Sequence, residues 1–264
     1  RVVCKDVSGD LKQSKRIYVN YGFDELNFTS HPSAVNFLKV QTLHRAAIED
    51  ISSYLKHNKI STAEKLSLMR DMALGVQILH KKFRMIHRDL KIQNILVYRD
   101  RGGYLRAKIT DFGFLKSTDG VLDNHAGTPA YSPRESLLLK KKYSGVIPLE
   151  MKSRIKNPPS PRPTDMYSLG MTFFSLLAEM EPTLVKQFWL NPDTLPQMVA
   201  NEKTRLDSFE FVNKKISDLS IQKMGMLQAL IGSLISADAD RRPNIDQVIE
   251  VLNHLISLPT ELQG

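Results

Sequence analysis

The strongest constraint on this chain is a polar stretch, His87-Arg88-Asp89-Leu90-Lys91-Ile92-Gln93-Asn94, set between a well-marked helix and a well-marked hairpin. The helix opens with a capping box, Ser61-Thr62-Ala63-Glu64, in which the serine accepts from the backbone and the glutamate reaches back to it. Leu66, Met69, Met72, Ala73, Val76 and Leu79 or His80 then recur at helical spacing, which predicts a long amphipathic helix ending near Phe83. After the polar stretch come two short apolar runs, Ile95 to Tyr98 and Leu105 to Ile109, with Arg101-Gly102-Gly103 as the turn between them. A loop anchored in this way at both ends can hold its side chains in one constellation.

Strand-like pieces, Val2-Val3-Cys4, Ile17-Tyr18-Val19 and Val35 to Val40, fall in the first part of the chain, with a short helix around Phe23 to Phe28. From Ile51 onward the pattern is mainly helical. A buried helix is expected from Asp165, with further helices over Lys223 to Ile235 and Ile245 to about Leu258, where Pro259 gives a stop. Four prolines between Lys156 and Thr164 mark an irregular linker, and the run from Ser136 to Thr164 reads as a surface loop. A small strand-rich start and a large helical remainder make an α+β chain.

Bulk properties narrow the function. The net charge of +9 comes from dispersed basic residues with no aromatic-interleaved basic ribbon, so no nucleic-acid partner is expected. The longest apolar patch, Leu169 to Met180, is broken by Gly170, Thr172, Ser175 and Glu179 and falls short of a membrane span. One cysteine, Cys4, rules out an internal disulfide or a cysteine zinc cluster. With no signal peptide in view, the expected setting is a reducing, cytoplasmic one, in its own cell or in another that receives it.

The polar stretch carries the groups that phosphoryl transfer needs. Asp89 can orient an attacking hydroxyl, Lys91 can neutralise phosphoryl charge, and Asn94 offers an oxygen to Mg²⁺. Asp111-Phe112-Gly113 stands seventeen residues after Asn94. Then come Gly127-Thr128-Pro129-Ala130-Tyr131-Ser132-Pro133-Arg134-Glu135, Asp165-Met166-Tyr167-Ser168-Leu169-Gly170 and Asp238-Ala239-Asp240-Arg241-Arg242-Pro243. In this order and spacing the five segments resemble the catalytic loop, metal motif, peptide-binding segment, central helix and distal arginine of the eukaryotic-type protein kinase catalytic domain.

The departures are Ile92 for proline, Pro133-Arg134-Glu135 for Ala-Pro-Glu, and Tyr167 for tryptophan. The resemblance implies a bilobal fold, with residues 1–48 as a partial N-lobe and 49–264 as the C-lobe. It implies ATP and Mg²⁺ as cofactors and a protein substrate. It makes Asp89, Lys91 and Thr128 catalytic, Asn94 and Asp111 metal-binding, and Leu96 part of the floor under adenine. Asp165 would hold the catalytic-loop backbone, and Glu135 would pair with Arg242. Lys91 and Thr128 resemble the serine/threonine class, and Phe114 suggests serine over threonine as acceptor. Arg88 would take a phosphate on Ser117 or Thr118 as counter-charge.

Val2-Val3-Cys4-Lys5 resembles the third strand of the family's small lobe, which makes Lys5 the lysine on the α- and β-phosphates. Glu25 is then its expected partner, although a second ruler, from His31-Pro32, points nearer Gly22. Ala46-Ala47-Ile48-Glu49-Asp50 resembles the hinge that binds adenine. No Gly-x-Gly-x-x-Gly occurs, so a pseudokinase scaffold that signals by binding remains the rival. A small-molecule phosphotransferase is disfavoured by the Gly127 to Glu135 segment. His44, His57, His80, His125 and His254 show no metal-ligand spacing and are expected on the surface or in packing, and His87 in packing.

Overall fold

The computed structural model describes strands at 3–4 and 40–41, then residues 49–119, 126–137, 161–179, 216 and 218–258. Lys5, Glu25, Trp189, the helix expected near Phe23 and nearly all of the run from Ser136 to Thr164 lie outside the described residues. The first strands, β1 (Val3–Cys4) and β2 (Val40–Gln41), pair antiparallel.

The body is built around α2 (Thr62–Gln77). Its capping box is formed: Ser61 Oγ accepts from the Glu64 amide at 3.3 Å, and Glu64 Oε2 accepts from the Ser61 amide at 3.0 Å. Leu66, Met69, Met72, Ala73 and Val76 are all buried, as their spacing requires. The helix is buried on further faces too. Lys65 reaches Glu179 at 2.7 Å. Asp71 takes a two-pronged bond from Arg106 at 2.8 and 2.9 Å and the amide of Ala107 at 3.0 Å. This carboxylate ties α2 to the hairpin and raises the Arg106 pKa, chiefly through the hydrogen bond. The final turn, Ile78–Lys82, is a π-helix closed by the Phe83 amide on the Ile78 carbonyl.

The hairpin consists of β5 (Ile95–Arg99) and β6 (Leu105–Ile109), with β3 (Glu49–Asp50) on the other side of β5. Asp100 Oδ1 accepts from the amides of Gly102 and Tyr104, and Gly103 adopts φ +83°, which a glycine allows. Asp50 also caps α1 (Ile51–His57) by accepting from the Ser53 amide. A two-residue ladder joins β4 (Met85–Ile86) to β7 (Lys116–Ser117).

Four further helices complete the described body: α3 (Arg134–Leu137), α4 (Pro161–Ala178), α5 (Ile221–Leu234) and α6 (Ile245–Ser257). One core joins α2, the hairpin, α4, α5 and α6. The expected linker gives way to helix earlier than its prolines suggested. α4 begins at Pro161, because Pro161 and Pro163 fall in the first turn, where backbone N–H groups have no intrahelical acceptor. The helix is buried nearly all round from Thr164 to Ala178. A Cβ at Gly170 would stand 2.6 Å from Leu234 Cβ and 2.9 Å from Ile235 Cγ2.

Gly170→Ala should therefore reverse the usual sign of a helical glycine substitution. Propensity alone predicts a gain of about 1 kcal/mol. Crowding of α4 against α5 should instead cost about 1–3 kcal/mol, read as a lower urea midpoint with an unchanged slope.

Candidate active site

The loop from His87 to Asn94 is held from below by one carboxylate. Asp165, fully buried in α4, accepts the His87 amide at 2.7 Å, the Arg88 amide at 2.8 Å and the His80 ring at 2.9 Å. Arg88 stands at φ +70°, an uncommon conformation for a side chain of its size, and its amide is fixed by this bond. Burial alone would push the Asp165 carboxyl up, but the His80 bond and charge, together with His87, outweigh it and leave it below the ordinary carboxylate value. His80 was expected only as a surface or packing residue. It is buried at 4% exposure, carried inward on the π-turn, and its partner lies 85 positions away, which no local pattern reveals.

His87 is fully buried, with Nε2 on the Thr110 carbonyl at 2.9 Å and its ring edge-on to Phe112 at 5.3 Å. Burial, the largest influence, lowers its pKa. Its place is structural: it links the loop to the Asp111-Phe112-Gly113 turn. Asp111 itself sits in the left-handed region, at φ 64° and ψ 68°.

Asp89 is the convergence point. Its Oδ1 accepts from the Thr128 amide at 2.8 Å and the Thr128 hydroxyl at 2.7 Å. Its Oδ2 accepts from Lys91 Nζ at 2.8 Å and Asn94 Nδ2 at 3.1 Å. Lys91 also donates to Thr128 Oγ1 at 2.8 Å, and Asn94 Nδ2 to the Asp89 carbonyl at 2.8 Å. Four donors on two oxygens fill the acceptor capacity of a carboxylate. An incoming hydroxyl must therefore displace one, and Lys91, at 20% side-chain exposure, holds its ammonium on a four-carbon stem that can turn to another acceptor.

Gly127 makes this junction possible. It stands at φ +93°, and a Cβ there would collide with the Arg88 carbonyl oxygen and come within 3.2 Å of Asp89 Oδ1. The adjoining segment is anchored at its far end. Glu135 takes both Nη1 and Nη2 of Arg242, Arg242 Nη1 also donates to the Pro163 carbonyl, and the guanidinium lies 5.1 Å from the Tyr167 ring centroid. Ala130, Tyr131, Tyr167 and Met171 form a separate apolar cluster beneath. Tyr167 thus offers Arg242 an aromatic face.

Among the described residues, the Asp111 carboxylate and the Asn94 side-chain oxygen, Oδ1, have no hydrogen-bond partner, while Asn94 Nδ2 is committed to Asp89. One carboxylate and one amide oxygen, with no cluster of three or more His, Cys, Asp or Glu side chains among the described residues, fit a hard cation that keeps waters and takes phosphate oxygens, as Mg²⁺ does. Leu96 is 5% exposed yet stands outside the core cluster that contains Ile95 and Val97. Strand alternation places it on the opposite face of the sheet, and it pairs with Asp50. Arg88 Nε donates to the Phe114 carbonyl at 2.8 Å. Ser117 accepts from the Asp119 amide, and Thr118 contacts Asp119 and Arg162.

A family model, the protein kinase domain, matches residues 33–254. The chain belongs to the protein kinase domain family. Relatives include the probable serine/threonine-protein kinase gdt2 of Dictyostelium discoideum, 27% identical over 78% of this chain and 11% of that protein. The serine/threonine-protein kinase atg1 of the same organism is 29% identical over 73% of the chain and 24% of its own length. The calcium/calmodulin-regulated receptor-like kinase 1 of Arabidopsis thaliana is 27% identical over 77% and 41%. The chain spans well under half the length of each. Its α+β kinase fold, with a strand-bearing small lobe and a mainly helical large one, agrees with this membership.

Asp165→Ala strands the His87 and Arg88 amides and the His80 ring, and should cost about 3–5 kcal/mol. The lowered Asp165 pKa also sets a sign. Its contribution is complete above the unfolded carboxyl value, near 4, and is lost as pH falls through the lower folded value. Denaturant midpoints should fall as pH drops below the unfolded carboxyl value of about 4, with a smaller fall in an Asp165→Asn protein.

Proposed function

We propose that this chain carries the catalytic machinery of a protein serine/threonine kinase that transfers the γ-phosphoryl group of ATP to a protein hydroxyl. The observation that carries this is the Asp89 cluster: one carboxylate joined to Lys91, Asn94 and Thr128 in a single hydrogen-bonded set, on a loop fixed from beneath by Asp165.

Members of this family use ATP and Mg²⁺, and the metal supplies charge neutralisation at the phosphates. Asn94 and Asp111 are the residues that would hold it. Lys5 is proposed to position the α- and β-phosphates, Glu25 to hold Lys5, and Leu96 to support adenine. Lys91 leaves Asp89 Oδ2 for the transferring phosphoryl oxygen. This opens an acceptor position on Asp89 for the substrate hydroxyl, which Asp89 orients and whose proton it receives. Thr128 keeps Oδ1 occupied throughout, so the carboxylate cannot swing. Catalysis of this kind is chiefly positioning and electrostatics.

Two features bear on the acceptor. Thr128 bridges Lys91 and Asp89 and belongs to the peptide-binding segment, which favours a protein over a small-molecule acceptor. Phe114 is 42% exposed, a bulky apolar surface beside the metal motif that favours serine.

The test is transfer of labelled γ-phosphate from Mg-ATP to a generic basic protein by the full-length protein. Phosphoserine should exceed phosphothreonine in the product, and Asp89→Ala should lower kcat by about 10²–10⁴-fold. No transfer, together with no ATP-dependent thermal shift, would establish the binding-only scaffold instead.

A further inference from the structure

The segment that follows Asp111 is attached to the body by contacts outside the Asp89 cluster. The ladder between β4 and β7 has only two residues on each side, too few to hold a segment by itself. It is extended at Arg84 and Asp119. The Thr118 amide donates to the Arg84 carbonyl at 2.8 Å. The Arg84 guanidinium then grips Asp119 with two parallel bonds, Nε to Oδ2 at 3.0 Å and Nη2 to Oδ1 at 2.9 Å. The Thr118 hydroxyl, on a residue 8% exposed, lies between Asp119 Oδ1 and Arg162 Nη2, 3.4 Å from each. Arg162 belongs to the first turn of α4, the helix that carries Asp165.

An exposed ion pair contributes little when it stands alone. This one is a planar fork on a carboxylate, the geometry that adds direction to attraction. It joins the same two strand ends that the Thr118 amide already joins. Arg84 takes φ +52° at this point, a conformation a non-glycine residue keeps only where its surroundings fix it. The hydrogen bond from Arg84 also holds the Asp119 carboxyl below the usual range.

We propose that Arg84 and Asp119 form a latch that seats the Asp111 to Asp119 segment against the base of the catalytic loop, and so positions Asp111 without a phosphate on Ser117 or Thr118. The positioning role rests on the phosphotransfer reading above; the latch itself does not. In this arrangement a phosphate on Thr118 would stand beside Asp119 and compete with it for Arg84 and Arg162.

The test uses full-length, phosphatase-treated protein in four forms: wild type, Asp119→Ala, Asp119→Glu, and the exchanged pair Arg84→Asp with Asp119→Arg. Aspartate tolerates the left-handed backbone at position 84 better than most residues. Amide hydrogen exchange is followed over residues 111–119, and kcat and KM for Mg-ATP are measured separately. Asp119→Ala should speed exchange at Thr118 and raise KM for Mg-ATP by about two- to fivefold, the range open to an exposed pair of good geometry, with a smaller effect on kcat. Asp119→Glu and the exchanged pair should both recover most of the loss. Unchanged exchange in Asp119→Ala, or no recovery in the exchanged pair, overturns the latch. Faster exchange with unaltered KM overturns the positioning role. A wild-type protein without transferase activity overturns the phosphotransfer reading and with it that role, while exchange still decides the latch.

Discussion

The Asp165 carboxylate is the contact on which the rest of the site depends. It sits at the base of α4, fully buried, and accepts from two successive amides of the catalytic loop and from His80. A buried charge is tolerated only when it is fully hydrogen-bonded, and here its partners are two backbone amides of the loop and the His80 ring. Arg88 is held in a left-handed conformation, and Asp89 follows directly. The stability of α4 in the core is thereby coupled to the position of the Asp89 carboxylate.

From Asp89 the order passes outward through two threonine contacts and one lysine. Thr128 brings in the segment from Gly127 to Glu135, which Gly127 allows to approach the Arg88 carbonyl and which Glu135 and Arg242 pin beside the first turn of α4. His87 passes the order to Thr110 and Phe112, and so to Asp111. The Arg84–Asp119 fork then closes the segment after Asp111 against the same base. The same buried helix thus supports the Asp89 carboxylate and the segment from Gly127 to Glu135.

The parts legible in the sequence are those governed by local rules. The capping box at Ser61, the apolar spacing of α2 and the hairpin turn at Gly103 need only neighbours, and each appears where its pattern places it. α4 starts before the position its prolines suggest, because Pro161 and Pro163 occupy a first turn, where they break nothing. The contacts of Asp165 and Glu135 were foreseen through resemblance to a family, since no local physics links them to partners 78 and 107 positions away. His80, the fork between Arg84 and Asp119, and the aromatic face that Tyr167 gives Arg242 were not foreseen. Each depends on which surfaces meet after folding, and a lone histidine or aspartate carries no such information.

The division of labour between two aspartates tests the account most directly. Asp111 is assigned to the metal–nucleotide and Asp89 to the substrate hydroxyl. Calorimetric binding of a non-hydrolysable ATP analogue to the full-length protein, with and without Mg²⁺, separates them. The account predicts Mg²⁺-dependent binding that Asp111→Ala abolishes and Asp89→Ala leaves nearly intact. Binding that ignores Mg²⁺, or that falls equally in both variants, would contradict it.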